Sequence, residues 1–300
     1  MSLTISVLMS VYRSEKGEYL DRSLQSVWDD QTRKPEQIVL IEDGAIPEEL
    51  ELIIDSFQSR VNASGVAKMV VVKLPVNGGL TKALNAGIKH VTGDLIARMD
   101  SDDISAPQRF ELQEKFLREN SEIDILGGSM QEFDDEHECL NVRHYPLTHE
   151  DACKYIVKAC PLAHPAVMMR RRIFDEGLHY DERYRMSQDI KLWYDAILAG
   201  YRMANLQEIV LFFRQQGDVF RRRSRVKAWN EFKIYMNGIY RMHGLFTLAY
   251  RYPIARYVFR NLPPSLVKKI YESGMRKRVL ENSSSHTNSV KNVCKMHLLG

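Results

Sequence analysis

No uncharged apolar stretch in the 300 residues approaches the roughly 18 needed to cross a bilayer as a helix, so a membrane-spanning protein is not expected. Cysteine is scarce. The four present, Cys139, Cys153, Cys160 and Cys294, form no C-x-x-C pair and no metal-ligand spacing, which argues against both a zinc site and a disulfide framework. A reducing cytoplasm is the compartment this usage fits. The opening MSLTISVLMS has no basic stretch ahead of its short apolar run, and it reads as a strand in place of a signal peptide. Internal repeats are missing too, and 16 Gly, 10 Pro and 27% charged residues exclude collagen-like and disordered classes. What is left is ordinary folded chain, 44% hydrophobic, long enough for one large or two modest domains.

The formal charge of +3 conceals an asymmetry. Residues 1–218 hold 25 basic and 36 acidic side chains, whereas residues 219–278 hold 15 basic and 2 acidic, interleaved with 11 aromatics such as Phe220, Trp229, Phe232, Tyr235 and Tyr257. An acidic body followed by a basic segment points to a polyanionic partner. Lys and Arg beside interfacial aromatics are the composition of a helix lying on an anionic bilayer, and a solvated basic helical face is the plainer use of the same residues. The stretch from Asn282 (NSSSHTNS) reads as a polar tail.

Along the body, apolar runs alternate with helical patterns. Strands are expected over 4–11, 37–41, 68–74 and 94–99, with helices over 19–28, 47–57 and from Leu80 onward through Leu84, Ile88 and Val91. A helix over 107–119, a strand over 123–128, a capping box at Thr148–Asp151, a helix over 188–198 and a last strand over 209–213 follow. This alternation predicts an α/β fold with a doubly wound, mostly parallel sheet, which binds ligands at the carboxyl ends of its strands. The polar clusters fall at those ends: Tyr12 and Arg13, Glu42 and Asp43, Asn77 to Gly79, and Asp100 to Asp103.

Three carboxylates in four residues, Asp100, Asp102 and Asp103, repel one another, and a divalent cation held by oxygen ligands explains their clustering. A turn whose aspartates cap the next helix is the other use of such a sequence. Gly78 and Gly79 either start a helix or let the backbone approach a phosphate. Asp189 stands in the first turn of its helix, where the dipole alone favours it.

The ordered set SVLMSVY, VLIEDG, NGGLTKALNAGI, DLIARMDSDD, HPAVMMRR and SQDIKLW, spread over residues 3–215, resembles the inverting GT-A-fold glycosyltransferases of family 2, bacterial O-antigen and exopolysaccharide enzymes in particular. That resemblance implies Asp102 on Mn²⁺ or Mg²⁺, Asp100 as a second ligand near the ribose, Asp43 with Glu42 near the base, Lys82 near the nucleotide, and Tyr12, Gly78 and Gly79 in the nucleotide-sugar site. It makes Asp189 the base for the acceptor hydroxyl, here preceded by Gln188 where the family commonly has Glu. His164 is implied beside the acceptor, and Arg214 and Arg221 are available to clamp a diphosphate. The implied organisation is a catalytic domain over 1–217, a basic aromatic helical membrane-associating segment over 218–280 and a polar tail over 281–300. The implied activity is metal-dependent, inverting transfer of a hexose, from UDP-glucose or UDP-galactose, to a sugar on a polyprenyl diphosphate. It would take place at the inner face of the cytoplasmic membrane, in surface polysaccharide assembly such as that of lipopolysaccharide.

Two rival classes are weighed. A sugar-phosphate nucleotidyltransferase normally opens with a glycine-rich loop after its first strand, and Ser10–Ser14 contains no glycine. A nucleic-acid-binding protein would use the basic segment, but no recognisable module is present and the carboxylate-rich edge repels phosphate, so no nucleic acid is expected. The oligomeric state is not legible.

Overall fold

Four apolar runs of the N-terminal third become parallel strands because helices cover both of their faces. A computed structural model describes residues 2–134, 138–215 and 225–262. In β1 (Ile5–Val11), Ile5, Val7, Met9 and Val11 face the core beneath α1 (Gly17–Val27) and α2 (Glu48–Ala63), while Leu8 faces the opposite core beneath α3 (Leu80–Ile88). In β2 (Gln37–Glu42), Ile38 and Leu40 take the first face and Val39 and Ile41 the second. β3 (Lys68–Lys73) and β4 (Leu95–Asp100) complete this half. The expected boundaries hold to within a few residues, except that α2 runs six residues past Phe57 to Ala63.

Beyond β4 the strict alternation gives way. After the two-residue β5 (Ile104–Ser105) come α4 (Arg109–Glu119), β6 (Ile125–Phe133), β7 (Cys139–Arg143) and α5 (His149–Tyr155). A 3-10 turn at His164–Ala166 leads into β8 (Met168–Arg170), then α6 (Arg172–Asp175), α7 (Gln188–Leu198) and β9 (Met203–Arg214). The order across the sheet is β3-β2-β1-β4-β8-β6-β9-β5, with β7 on β6. β8 is antiparallel to both β4 and β6, and β5 is antiparallel to β9. A 3-10 turn, in place of a crossover helix, delivers β8 to the edge of β4, so the chain returns in the opposite direction. The fold is α/β with a mostly parallel sheet, and β1 and β4 meet where the strand order reverses.

The basic segment is helical in its described part. α8 (Arg225–His243) packs on α7, and α9 (Arg251–Asn261) packs on α8. Gly238 is required there, since a Cβ would lie 2.3 Å from Cδ1 of Tyr194. Of the aromatics read as interfacial, Tyr235 is buried edge-on to Tyr194 at 5.8 Å, while Phe232 and Tyr257 are half-buried and cluster with the exposed Trp229, centroids 4.9–5.7 Å apart. Helix–helix packing brings these rings together because α9 folds back on α8. Phe220, the 217/218 boundary and the polar tail lie outside the described residues. Cys153 and Cys160 are free thiols.

Candidate active site

A cleft of about 570 Å³ opens at the carboxyl ends of β1 and β4. Parallel register sets its floor, because Ser10 lies opposite Asp100 and Val11 opposite Glu42, so the first residues past each strand converge on one edge. Of the residues singled out from sequence, Tyr12, Asp43, Gly79, Asp100 and Asp102 line it.

Asp43 organises one wall. Its carboxylate accepts the N–H of Gly78 at 2.7 Å and of Gly79 at 2.8 Å, while the Asn77 amide donates to its carbonyl at 3.0 Å. Gly79 sits at φ +86° as the residue before α3, a conformation that disfavours a Cβ. The two glycine N–H groups therefore hold Asp43 and are not presented to a phosphate. Above them the 180–184 segment is stitched to α3: Thr81 donates to the Tyr184 carbonyl at 2.9 Å and Asn85 to that of Tyr180 at 2.8 Å. That stitching brings Arg185 and Met186 into the cleft wall, Arg185 lying over Gly79. Sequence reasoning missed both, and the one available signal was their position just ahead of Gln188-Asp189. Ser14 and Glu15 also line the cleft, and Glu15 accepts a hydrogen bond from Ser101.

Asp100, Asp102 and Asp103 each offer an oxygen, and these lie within 4.8 Å of one another. Burial, with Asp100 and Glu15 nearby, pushes the Asp102 carboxyl up to about 7, and burial beside Asp102 and Asp100 pushes Asp103 well up. One oxygen of Asp103 is buried without a hydrogen-bond partner. Hard oxygen donors crowded until they resist ionisation suit a divalent cation, whose charge would relieve all three, so the residues fit Mn²⁺ or Mg²⁺. The expected helix-capping use does not hold, since no side chain caps the start of α4.

The cluster is braced from behind. Buried Arg98 pairs with Asp100. Arg214 gives its backbone N–H to Asp103 at 2.9 Å and its Nε to the Asp102 carbonyl at 2.9 Å, its guanidinium lying over Tyr19 and Phe133. Arg214 is only 3% exposed. It positions the aspartates.

Asp189 begins α7 behind Ser187, the sole non-glycine residue with positive φ among those described (φ +64°). Such a conformation costs of order 1–3 kcal/mol and persists only where neighbours enforce it. Burial raises the Asp189 carboxyl above its ordinary range, opposed by the Ile190 N–H, Lys227 and Arg98. Arg98 thus bears on both Asp100 and Asp189. The Cys160 thiol lies 3.8 Å from the Asp189 carboxylate.

The remaining expected residues are placed elsewhere. Glu42 follows Ile38 and Leu40 onto the α1–α2 side, buried against Lys73 at 3.3 Å. Lys82 is exposed on α3 over Gly78. His164 is buried, 2.8 Å from the Tyr180 hydroxyl and edge-on to Trp193, with burial holding its pKa well down. Its surroundings make it a core histidine. Arg221 lies outside the described residues.

Residues 6–178 match the model for glycosyl transferase family 2. An uncharacterized glycosyltransferase of Haemophilus influenzae is 36% identical over 92% of the chain and all of its own length. The UDP-Gal:α-D-GlcNAc-diphosphoundecaprenol β-1,3-galactosyltransferase of Escherichia coli is 28% identical over 91% of the chain and 96% of its own. Among solved structures, residues 1–349 of Staphylococcus aureus TarS with UDP-GlcNAc superpose with a TM-score of 0.62, at 18% identity over 86% of this chain and 72% of that one. The mannosyltransferase PcManGT of Pyrobaculum calidifontis, with GDP-Man and Mn²⁺, gives 0.59 at 11% identity over the whole of this chain and 86% of that one. These two share the GT-A fold described above. A sugar-phosphate nucleotidyltransferase and a nucleic-acid-binding scaffold are thereby set aside: the chain is an enzyme of glycosyl transferase family 2.

Proposed function

We propose that the protein transfers a hexose, glucose or galactose, from UDP to a sugar on a polyprenyl diphosphate in surface polysaccharide assembly, at the inner face of the cytoplasmic membrane. One observation carries the reading: three mutually crowded carboxylates at the end of β4, on the edge they share with Asp43. The Escherichia coli relative, whose name specifies a UDP-sugar and a diphosphoundecaprenol-linked acceptor, supports the choice of donor and acceptor.

In this reading Asp102 and Asp100 hold Mn²⁺ or Mg²⁺, with Asp103 behind them. Held there, such a cation would supply Lewis-acid stabilisation of charge on the departing UDP. The wall of Asp43, Tyr12 and Arg185 receives the nucleotide, and the Arg98–Asp100 pair keeps one ligand oriented toward it. Asp189 removes the proton of the acceptor hydroxyl as that oxygen attacks the anomeric carbon from the face opposite UDP, so configuration inverts in one displacement. Its raised pKa makes it a stronger base than an exposed carboxylate and compensates for the neighbouring Glu that this chain replaces with Gln188.

The test is incubation with UDP- and GDP-sugars, Mn²⁺ and synthetic sugar-diphosphate-lipids, followed by mass spectrometry. A product from a UDP-hexose, lost with EDTA, is expected. Transfer only from GDP-sugars, or full activity in EDTA, would overturn the assignment.

A further inference from the structure

The loop joining α8 to α9 carries large apolar side chains into solvent: Leu245 is 67% exposed, Leu248 80% and Phe246 completely. The loop is firmly built. Gly244 leaves α8 at φ +72° with its N–H on the Tyr240 carbonyl at 2.9 Å, and the Tyr250 hydroxyl donates back to the Gly244 carbonyl at 2.9 Å. The Thr247 hydroxyl accepts the Ala249 N–H at 3.2 Å, and Ala249 and Tyr250 pack against the core beneath. The backbone thus has the core within reach while the tip side chains point away from it, an arrangement that gives the isolated fold no stability.

The apolar surface continues onto α9, where Ile254 and Val258 are one turn apart and about half exposed, on the same face as Arg251. Residues 225–262 contain seven Lys and Arg against one acid, Glu231, which is buried and neutralised by Arg260 at 2.5 Å. Near the tip, Arg241 faces Asp195 at 3.5 Å and Arg251 lies against Tyr252.

We propose that this loop docks the protein on an anionic bilayer, with Leu245, Phe246 and Leu248 entering the acyl boundary and the exposed Arg251 at the start of α9 resting at the lipid phosphates. Apolar tip and cationic flank are the two contributions that peripheral membrane binding combines. The inference is independent of donor and acceptor chemistry.

The test is co-sedimentation of the full chain with phosphatidylcholine vesicles, with and without phosphatidylglycerol, comparing wild type with the double variant Phe246→Ser, Leu248→Ser. Wild type should favour the anionic vesicles and be partly released by salt. The variant should bind them at least about tenfold more weakly, with an unchanged melting temperature and unchanged transfer to a water-soluble acceptor. Wild type that does not bind, equal binding to neutral vesicles, or a variant that binds as wild type each overturns the proposal. So does a wild-type dimer that the variant converts to monomers, which would assign the tip to a second copy.

Discussion

The two carboxylate stations of the proposed active site are held in place by different means. On the β1–β4 side, Asp43 and Asp100 stand at the ends of parallel strands in continuous register, and the Asp43 carboxylate is locked by two backbone N–H groups. On the other side, Asp189 begins a helix behind a left-handed serine, and that serine leans on α8, its hydroxyl 3.4 Å from Glu231 while Arg260 of α9 holds the other Glu231 oxygen. Sheet geometry fixes the first station, and side-chain contacts with the basic helices hold the second. The first requires only a few residue types at strand ends. The second depends on a residue more than forty positions away in sequence.

Separating chemistry from donor binding should sharpen that comparison most. Asp189→Asn is nearly isosteric but cannot take the acceptor proton, so transfer should fall roughly 10²- to 10⁴-fold while calorimetry shows UDP-sugar affinity retained. An inability to bind UDP would move Asp189 to the donor side. Asp102→Asn should do the reverse, weakening metal-dependent UDP-sugar binding and lowering turnover roughly 10²- to 10³-fold. A variant whose turnover still responds to Mn²⁺ as wild type does would remove Asp102 from the metal site.

Asp43→Ala should cost less, about 1.5–3 kcal/mol of stability, since it orphans the Gly78 and Gly79 N–H groups that a buried carboxylate accepts. Chemical denaturation measures this directly. Unchanged stability would show that the glycine turn holds itself and that Asp43 is there for the nucleotide alone.

The strand-end station was largely legible in the sequence because its information is local. Buried runs such as SVLMSV and QIVLI announce strands, and the polar residue that ends each run must then lie on the ligand edge. Glu42 shows the limit of that inference: strand alternation turns it to the α1–α2 face, away from Asp43. Arg214 shows a related limit, since a strand-end arginine is equally able to turn inward and stack over Tyr19 and Phe133. Contacts between distant segments were less legible. The Arg185 wall depends on Thr81 and Asn85, about a hundred positions earlier, and the support of Ser187 depends on Glu231. No periodicity encodes such pairings.

The smallest expected effect tests whether His164 belongs to the core or to the acceptor. In the folded chain burial keeps it neutral well below its ordinary value of 6.5, whereas the unfolded chain protonates it below that value. Its contribution to stability is therefore complete above about pH 6.5 and is lost as pH falls below it, at no more than about 1.4 kcal/mol per pH unit. The raised carboxyls of Asp102, Asp103 and Asp189 titrate with the opposite sign, and the lowered His149 with the same sign. Subtracting the curve of His164→Gln from that of wild type cancels them all and leaves one histidine. If His164 serves only to pack against Tyr180 and Trp193, the variant loses stability near pH 7 but its stability falls less steeply between pH 6.5 and 5, while transfer scales with the folded fraction. Parallel stability curves, together with transfer lost from fully folded protein, would return His164 to the acceptor side.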